Sequence, residues 1–253
     1  LFVNQTLGIG GAETFNTALL SWLHRNGNQI TAYTTNSRFA RMLSQKNLTT
    51  HRIPLVVDLI GNWKGLIKGL FLMPVAAVYY TLVVLRNSKA DVILMSGFIE
   101  KIFITPLAHL FHIPVVWVEF ASPAPVLTKF FGFPGFLYHL VKHYSPTIVV
   151  PSRHTLGQIN TSESHLIPLG IDPDPSPDLN TTTPGLVSCV SRLEPKKGQD
   201  LLIHAWKQVI IKIPTAKLEI VGEGSESANL RNLITQLGLT NSVTLTGWVA
   251  SSL

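Results

Sequence analysis

Short apolar runs rich in Val and Ile recur along this chain, each separated from the next by a stretch long enough for a helix. That alternation limits the possible folds more than any other feature. Parallel strands need a helix-length crossover between them, and strands buried on both faces read as continuous apolar runs. Runs at Leu1–Asn4, Gln29–Thr34, Thr50–Pro54, Asp91–Met95, Pro114–Val118, Thr147–Val150 and His165–Ile167 predict one α/β domain with a parallel sheet over residues 1–170, Rossmann-like in its order of elements. The first connecting helix places Ala12, Phe15, Leu19, Trp22 and Leu23 on one face and ends at Asn26-Gly27, where glycine accepts the left-handed cap.

Residues 171–184 are polar, and five prolines fall between Pro168 and Pro184, which excludes helix and central strand and predicts an interdomain linker. A second series follows: strand Gly185–Val190, helix Gly198–Ile211, strand Lys217–Val221, helix Ala228–Leu237 before Gly238, and strand Val243–Thr246. Three strands and two helices leave a parallel sheet partly uncovered. The second Rossmann-like domain, 185–253, is therefore expected to be incomplete, and the protein to extend beyond both Leu1 and Leu253.

The charge is unevenly placed. Residues 1–170 hold 13 Lys/Arg against 6 Asp/Glu, and residues 171–253 hold 7 against 8. No Lys/Arg cluster is interleaved with base-stacking aromatics, so nucleic acid is not an expected partner. A basic, apolar first part suits an anionic membrane surface, or else simply keeps the protein soluble. Gly69–Leu85 carries no charge over 17 residues, slightly short of a span and containing Pro74, which favours a buried or interfacial helix over a transmembrane one. The stretch Val126–Tyr144 mixes Phe130, Phe131, Phe133 and Phe136 with Lys129, Lys142 and histidines, a composition for an interface, a core or an acceptor cleft. A single cysteine, Cys189, permits no intramolecular disulfide. No basic-then-apolar leader opens the sequence, so four Asn-x-Ser/Thr sequons read as chance and a cytoplasmic location is expected, peripheral on the inner face of the membrane if lipid is bound.

The first loop, Gly8-Ile9-Gly10-Gly11-Ala12-Glu13, joins a strand to a helix N-terminus, a geometry that offers N–H groups to phosphate or forms no more than a tight turn. A dinucleotide fingerprint would need a third glycine at Glu13 and an acid near Thr34–Asn36. Both are missing, which argues against an NAD- or FAD-dependent oxidoreductase. The stronger pattern is Ser191-Arg192-Leu193-Glu194-Pro195-Lys196-Lys197-Gly198 between a strand and an amphipathic helix. Arg192 at the strand end and Lys197 at the helix start make an anion site at the carboxyl edge of the sheet. Asp172-Pro173-Asp174 imitates a metal-binding Asp-x-Asp but lies among linker prolines, and no histidine pair has ligand spacing, so no metal or other cofactor is expected.

With these segments in place the chain resembles the GT-B glycosyltransferases of retaining family 4. The segments are GGAE at 10–13, PSRH at 151–154, LIPLGID at 166–172, SRLEPKKGQDLL at 191–202, LEIVGEG at 218–224 and LGLTNSVTLTGWV at 237–249, in that order and spacing. The resemblance implies a GT-B fold and a hexose carried from a nucleoside diphosphate sugar to a saccharide or lipid-linked acceptor, with retention, in cell-surface polysaccharide or glycolipid synthesis. It implies donor binding by Gly10, Gly11, Arg192, Lys197 and Gly222, the cations holding the pyrophosphate. Many relatives place a histidine facing the transferred sugar where this chain has Glu119, so Glu119 is the expected catalytic residue, altered in specificity or merely structural. The family's paired donor-binding glutamates would lie past Leu253, so this stretch alone is expected to transfer little. The alternative is a non-catalytic GT-B-like binding or scaffold protein at a membrane. A sugar-phosphate isomerase of similar shape would need catalytic acids that are not found.

Overall fold

Every apolar run of the first part forms a strand: β1 (Phe2–Asn4), β2 (Thr31–Thr34), β3 (Thr49–Arg52), β4 (Ile93–Met95), β5 (Val115–Val118), β6 (Thr147–Val150) and β7 (Ser164–Leu166). The computed structural model describes residues 1–6, 8–159, 161–170 and 183–249. The chain divides into two compact units, Leu1–Asp172 and Pro173–Leu253. The proposed linker at 171–184 falls on residues 171–182, outside the described residues, as does the Asp172-Pro173-Asp174 sequence.

In the first unit all seven strands are parallel, in the order β3-β2-β1-β4-β5-β6-β7. Strand order reverses at β1, which pairs with β2 on one side (Phe2 beside Ala32) and with β4 on the other (Phe2 beside Leu94). Open sheets of this kind bind ligands beyond the strand ends at such a reversal. Helices α1 (Gly11–Arg25) and α2 (Ser37–Gln45) cover one face. There Phe2, Leu20, Ala32, Phe39 and Leu43 form a cluster. The other face is covered by α3 (Trp63–Arg86), α4 (Phe98–Leu110) and α6 (Phe133–Lys142), around Tyr80, Val84, Ile93, Ile104, Trp117 and Tyr138. The short helices α5 (Ala124–Leu127) and α7 (Arg153–Ile159) precede α6 and β7 respectively.

Local chemistry sets the element ends. The Asn36 side chain accepts from the N–H groups of Arg38 and Phe39 to start α2, and Asn62 accepts from Gly65 to start α3. Gly27, at φ 87°, ends α1 as the sequence implies. Helix α3 runs well past the 69–85 stretch at its N-terminal end. Gly69 lets it lie against the backbone of Asp58, where a Cβ would collide, and Pro74 sits within it on the exposed side.

The second unit contains β8 (Leu186–Val190), α8 (Gln199–Lys212), β9 (Lys217–Val221), α9 (Ser227–Gln236) and β10 (Val243–Gly247), its strands parallel in the order β10-β9-β8. It has its own core of Leu193, Ile203, Trp206, Leu218, Ile220 and Leu230.

Candidate active site

Two glycines shape the carboxyl edge of the second sheet. Gly222, at φ 142°, lies where a Cβ would strike the Ser191 carbonyl oxygen, and a Cβ at Gly224 would strike that of Leu193. Their absence of side chains lets residues 222–224 run against residues 191–193, held by hydrogen bonds from Ser191 N–H to the Val221 carbonyl (3.0 Å) and from Leu193 N–H to the Glu223 carbonyl (2.9 Å). Gln199 pins the same turn by donating to Ser191 Oγ (2.7 Å) and to the Arg192 carbonyl (2.9 Å). Gly198 makes the corner into α8 at φ 72°, a conformation that favours glycine.

Beside this turn lies a cavity of about 450 Å³, lined among others by Gly222, Glu223, Gly224, Ser227, Arg231 and Gly247. Arg192 and Lys197 stand exposed on the adjoining turn, as the spacing implies, but Arg192 is not solitary. Its guanidinium pairs with Glu194 Oε1 at 2.7 Å, and Lys196 lies 3.7 Å from the other oxygen of Glu194. Lys197, at the end of a 3-10 turn (Pro195–Lys197), forms no ion pair among the described residues. Sequence reasoning passed over Arg231. Its signal was available, since Ser227 and Arg231 stand four apart and so share a helix face turned to the end of β9.

In the first unit, Gly10 and Gly11 open α1 at the strand reversal. The N–H of Gly10 donates to Glu13 Oε2 (2.9 Å), so a carboxylate already occupies that donor at the helix N-terminus. Gly11 borders open space, with nothing within 4 Å of a Cβ built there, and the first-turn N–H groups have no partner within the helix. The loop before them is fastened to its neighbours. Gln5 donates to the Val57 carbonyl (2.6 Å) and accepts from the Val57 N–H (3.0 Å), while Thr6 exchanges hydrogen bonds with Thr35 (3.0 and 2.8 Å).

Glu119 directly follows β5, its N–H donating to the Val149 carbonyl (2.9 Å), and is 8% exposed. Its Oε1 accepts from Lys101 Nζ at 2.7 Å and from the Tyr138 hydroxyl at 3.0 Å. Lys101, 2% exposed, also lies 5.5 Å from the centre of the Trp117 ring, a cation–π contact. Burial first, and the Glu119 charge second, push the Tyr138 hydroxyl far above its ordinary pKa, so it remains a donor. Oε2 of Glu119 has no partner among the described residues, which leaves one carboxylate oxygen for a ligand.

Under the first loop lies a second polar group. Asn4 and Asn16 both donate to Ser96 Oγ (2.8 and 3.3 Å), and Glu100 Oε1 accepts from the Gly97 N–H (2.6 Å). Glu100 is fully buried, and desolvation raises its pKa to about 7 against the opposing pull of backbone N–H groups and Lys101. Its Oε2, the Tyr80 hydroxyl and the side-chain oxygens of Asn4 and Asn16 have no partner among the described residues.

Residues 174–252 match the family described as glycosyl transferases group 1. Among curated proteins, the chain is 49% identical over 57 residues to a GDP-mannose-dependent monoacylated alpha-(1-6)-phosphatidylinositol monomannoside mannosyltransferase of Corynebacterium glutamicum, covering 22% of this chain and 15% of that protein. It is 36% identical over 91 residues to a GDP-mannose-dependent alpha-(1-6)-phosphatidylinositol monomannoside mannosyltransferase of Mycolicibacterium smegmatis, covering 32% and 24%. The matched segments thus span under a quarter of these relatives' length. Among solved structures, Anabaena HepE in complex with UDP superposes with a TM-score of 0.71 at 20% identity, over 98% of this chain and 69% of that one. The lipopolysaccharide outer core galactosyltransferase WaaB in its apo form gives 0.59 at 17% identity, over 99% and 68%.

Proposed function

From a chain with the GT-B glycosyltransferase fold and a group 1 glycosyl transferase segment, we propose a hexosyltransferase that moves a sugar from a nucleoside diphosphate to a saccharide or lipid-linked acceptor. The observation that carries the reading is the turn after β8, which bears Arg192 and Lys197 and whose Leu193 lines a cavity walled by Gly222–Gly224 and Arg231. When the glycosidic bond breaks, the leaving diphosphate gains negative charge. Cations on a turn whose backbone is pinned by Gln199 bind that charge better in the transition state than in the ground state. Glu194, shared between Arg192 and Lys196, holds the guanidinium in place until an anion competes for it. In the first unit, Gly11 borders open space at the strand reversal, and the first turn of α1 leaves backbone N–H groups free for a phosphate. Glu119, held through one oxygen by Lys101 and Tyr138, offers the other to a sugar hydroxyl.

The reading extends to retention of anomeric configuration, to cell-surface polysaccharide or glycolipid synthesis, and to a cytoplasmic enzyme peripheral on an anionic membrane, with no metal required. The curated relatives are named for GDP-mannose and for phosphatidylinositol mannoside acceptors, which makes these the first donor and acceptor class to assay. Loss of all sugar release and transfer by the full-length protein, with GDP- and UDP-sugars alike, would remove the reading. A second reading, a non-catalytic GT-B-like scaffold, is favoured by one observation: the residue at the sugar-facing position is a carboxylate held by an ion pair.

A further inference from the structure

Helix α3 buries only one side. Leu66, Gly69, Ala76, Tyr80, Val83 and Val84 face the core, whereas Ile67, Phe71, Val75, Val78, Leu82 and Leu85 lie exposed on the opposite side, Phe71 by 81%. Their spacing of three and four makes one continuous apolar stripe along the outer face. Near the start of α3 the stripe meets a second apolar element. Trp63 packs edge-on against Phe130 at 4.8 Å and lies 6.2 Å from Phe131. Phe130 and Phe131 both hold left-handed backbone, at φ 49° and 57°, an unfavourable state for a bulky residue, and the result is a Phe131 side chain 99% exposed.

The charges on α3 itself are all basic. Lys64 and Lys68 lie in its first turns and Arg86 at its end, with Lys89 just beyond; the acids nearest in sequence are Asp58, turned to the Ile60 and Gly61 N–H groups, and Asp91. Lys129 adds its charge near the first end, donating to the Ile60 carbonyl at 2.7 Å.

We propose that the outer face of α3, with Trp63 and Phe131, docks onto an anionic lipid bilayer, lying in the plane of the interface. By length and composition α3 could cross a membrane, yet its inner face belongs to the core of the first unit, with Ala76, Tyr80 and Val84 wholly buried. Crossing would strip that core, whereas lying flat buries only what is already exposed. A second copy of the chain suits the face less well. An isologous pair sets the same patch against itself, so the lysines and arginine of one α3 would meet those of the other. Anionic head groups match the rim, and the acyl boundary accepts the aromatic and aliphatic stripe. The inference deepens the membrane part of the proposed function and rests on it; its test needs no sugar transfer, so it can fail while the hexosyltransferase reading stands.

The test is flotation of this chain with phosphatidylcholine vesicles and with vesicles also containing phosphatidylglycerol, at low and at raised salt. The chain floats with the anionic vesicles, less so in salt, and scarcely with the neutral ones. Replacing both lysines, Lys64→Ala with Lys68→Ala, lowers the partition roughly 30-fold, from about one unit of surface attraction per basic residue. Phe71→Glu abolishes binding while leaving the circular dichroism spectrum unchanged, since the side chain supports no core contact. Trp63 fluorescence shifts to the blue on anionic vesicles, and Trp63→Phe removes that shift. Absence of flotation with anionic vesicles, equal flotation of Phe71→Glu, or a concentration-dependent dimer that Phe71→Glu dissociates would each overturn the proposal, the last by making a second copy the occupant.

Discussion

Glu100 is the side chain whose protonation bears most directly on stability. Its pKa is about 7 in the folded chain, against 4.5 as the ordinary value, because burial disfavours the charged form. Between those values the folded state holds a proton that the unfolded state has released. Its contribution is therefore complete below about pH 4.5 and declines as pH rises to about 7, by up to ~1.4 kcal/mol per pH unit. Urea titrations at pH 5 and pH 7.5 should show this loss, and Glu100→Gln should flatten that part of the profile. The protonated carboxyl also supplies a donor in a place where Tyr80 and two asparagine oxygens lack partners. Lys101 and Glu119 form a buried ion pair. Lys101→Met leaves Glu119 uncompensated and should cost about 3–5 kcal/mol in urea unfolding, most of it recovered when Glu119→Gln is added. Glu119 could be singled out from the sequence by its place after a strand. Its partners could not, because Lys101 and Tyr138 lie in other helices and only the packing of α4 and α6 brings them to it.

At the scale of elements, the period of the apolar residues was legible wherever one face was buried and the other solvated, as in α1, α8 and α9. All ten strands fall within a residue or two of the apolar runs. Two helices gave no such signal. Helix α4 is apolar nearly all round, contains Pro106 and buries Glu100 and Lys101, so no polar face marks its period. Helix α2 is short and depends on Asn36 for its start. The uncharged run marks only part of α3, because Lys64 and Lys68 end the run without ending the helix. The turn at Gly222 tests the link between element and site. Gly222→Ala drives a Cβ into the Ser191 carbonyl and should destabilise the second unit by about 1–3 kcal/mol in calorimetry. A donor contact at Gly222 is what the family resemblance implies; what the structure gives for the glycine is a packing reason.

At the scale of the molecule, the buried apolar clusters each lie within one unit, two in the first and one in the second. The first unit expressed alone as residues 1–170 should therefore retain a cooperative thermal transition by circular dichroism. Non-cooperative melting of that piece would show that its core needs the second unit. The α/β class and the division into two units were legible because each parallel strand must be followed by a crossover. The cavity beside Gly222–Gly224 was not, since it depends on the close approach of two turns twenty-five or more residues apart in sequence. In the proposed function, Arg192 and Lys197 hold the diphosphate of a sugar donor while its bond breaks. The most direct test is sugar release and transfer by the full-length protein, with GDP- and UDP-sugars, beside the same protein carrying Arg192→Ala. A fall in turnover of about 10²–10³ with the fold intact is the expected result. Turnover unchanged in Arg192→Ala would contradict the account.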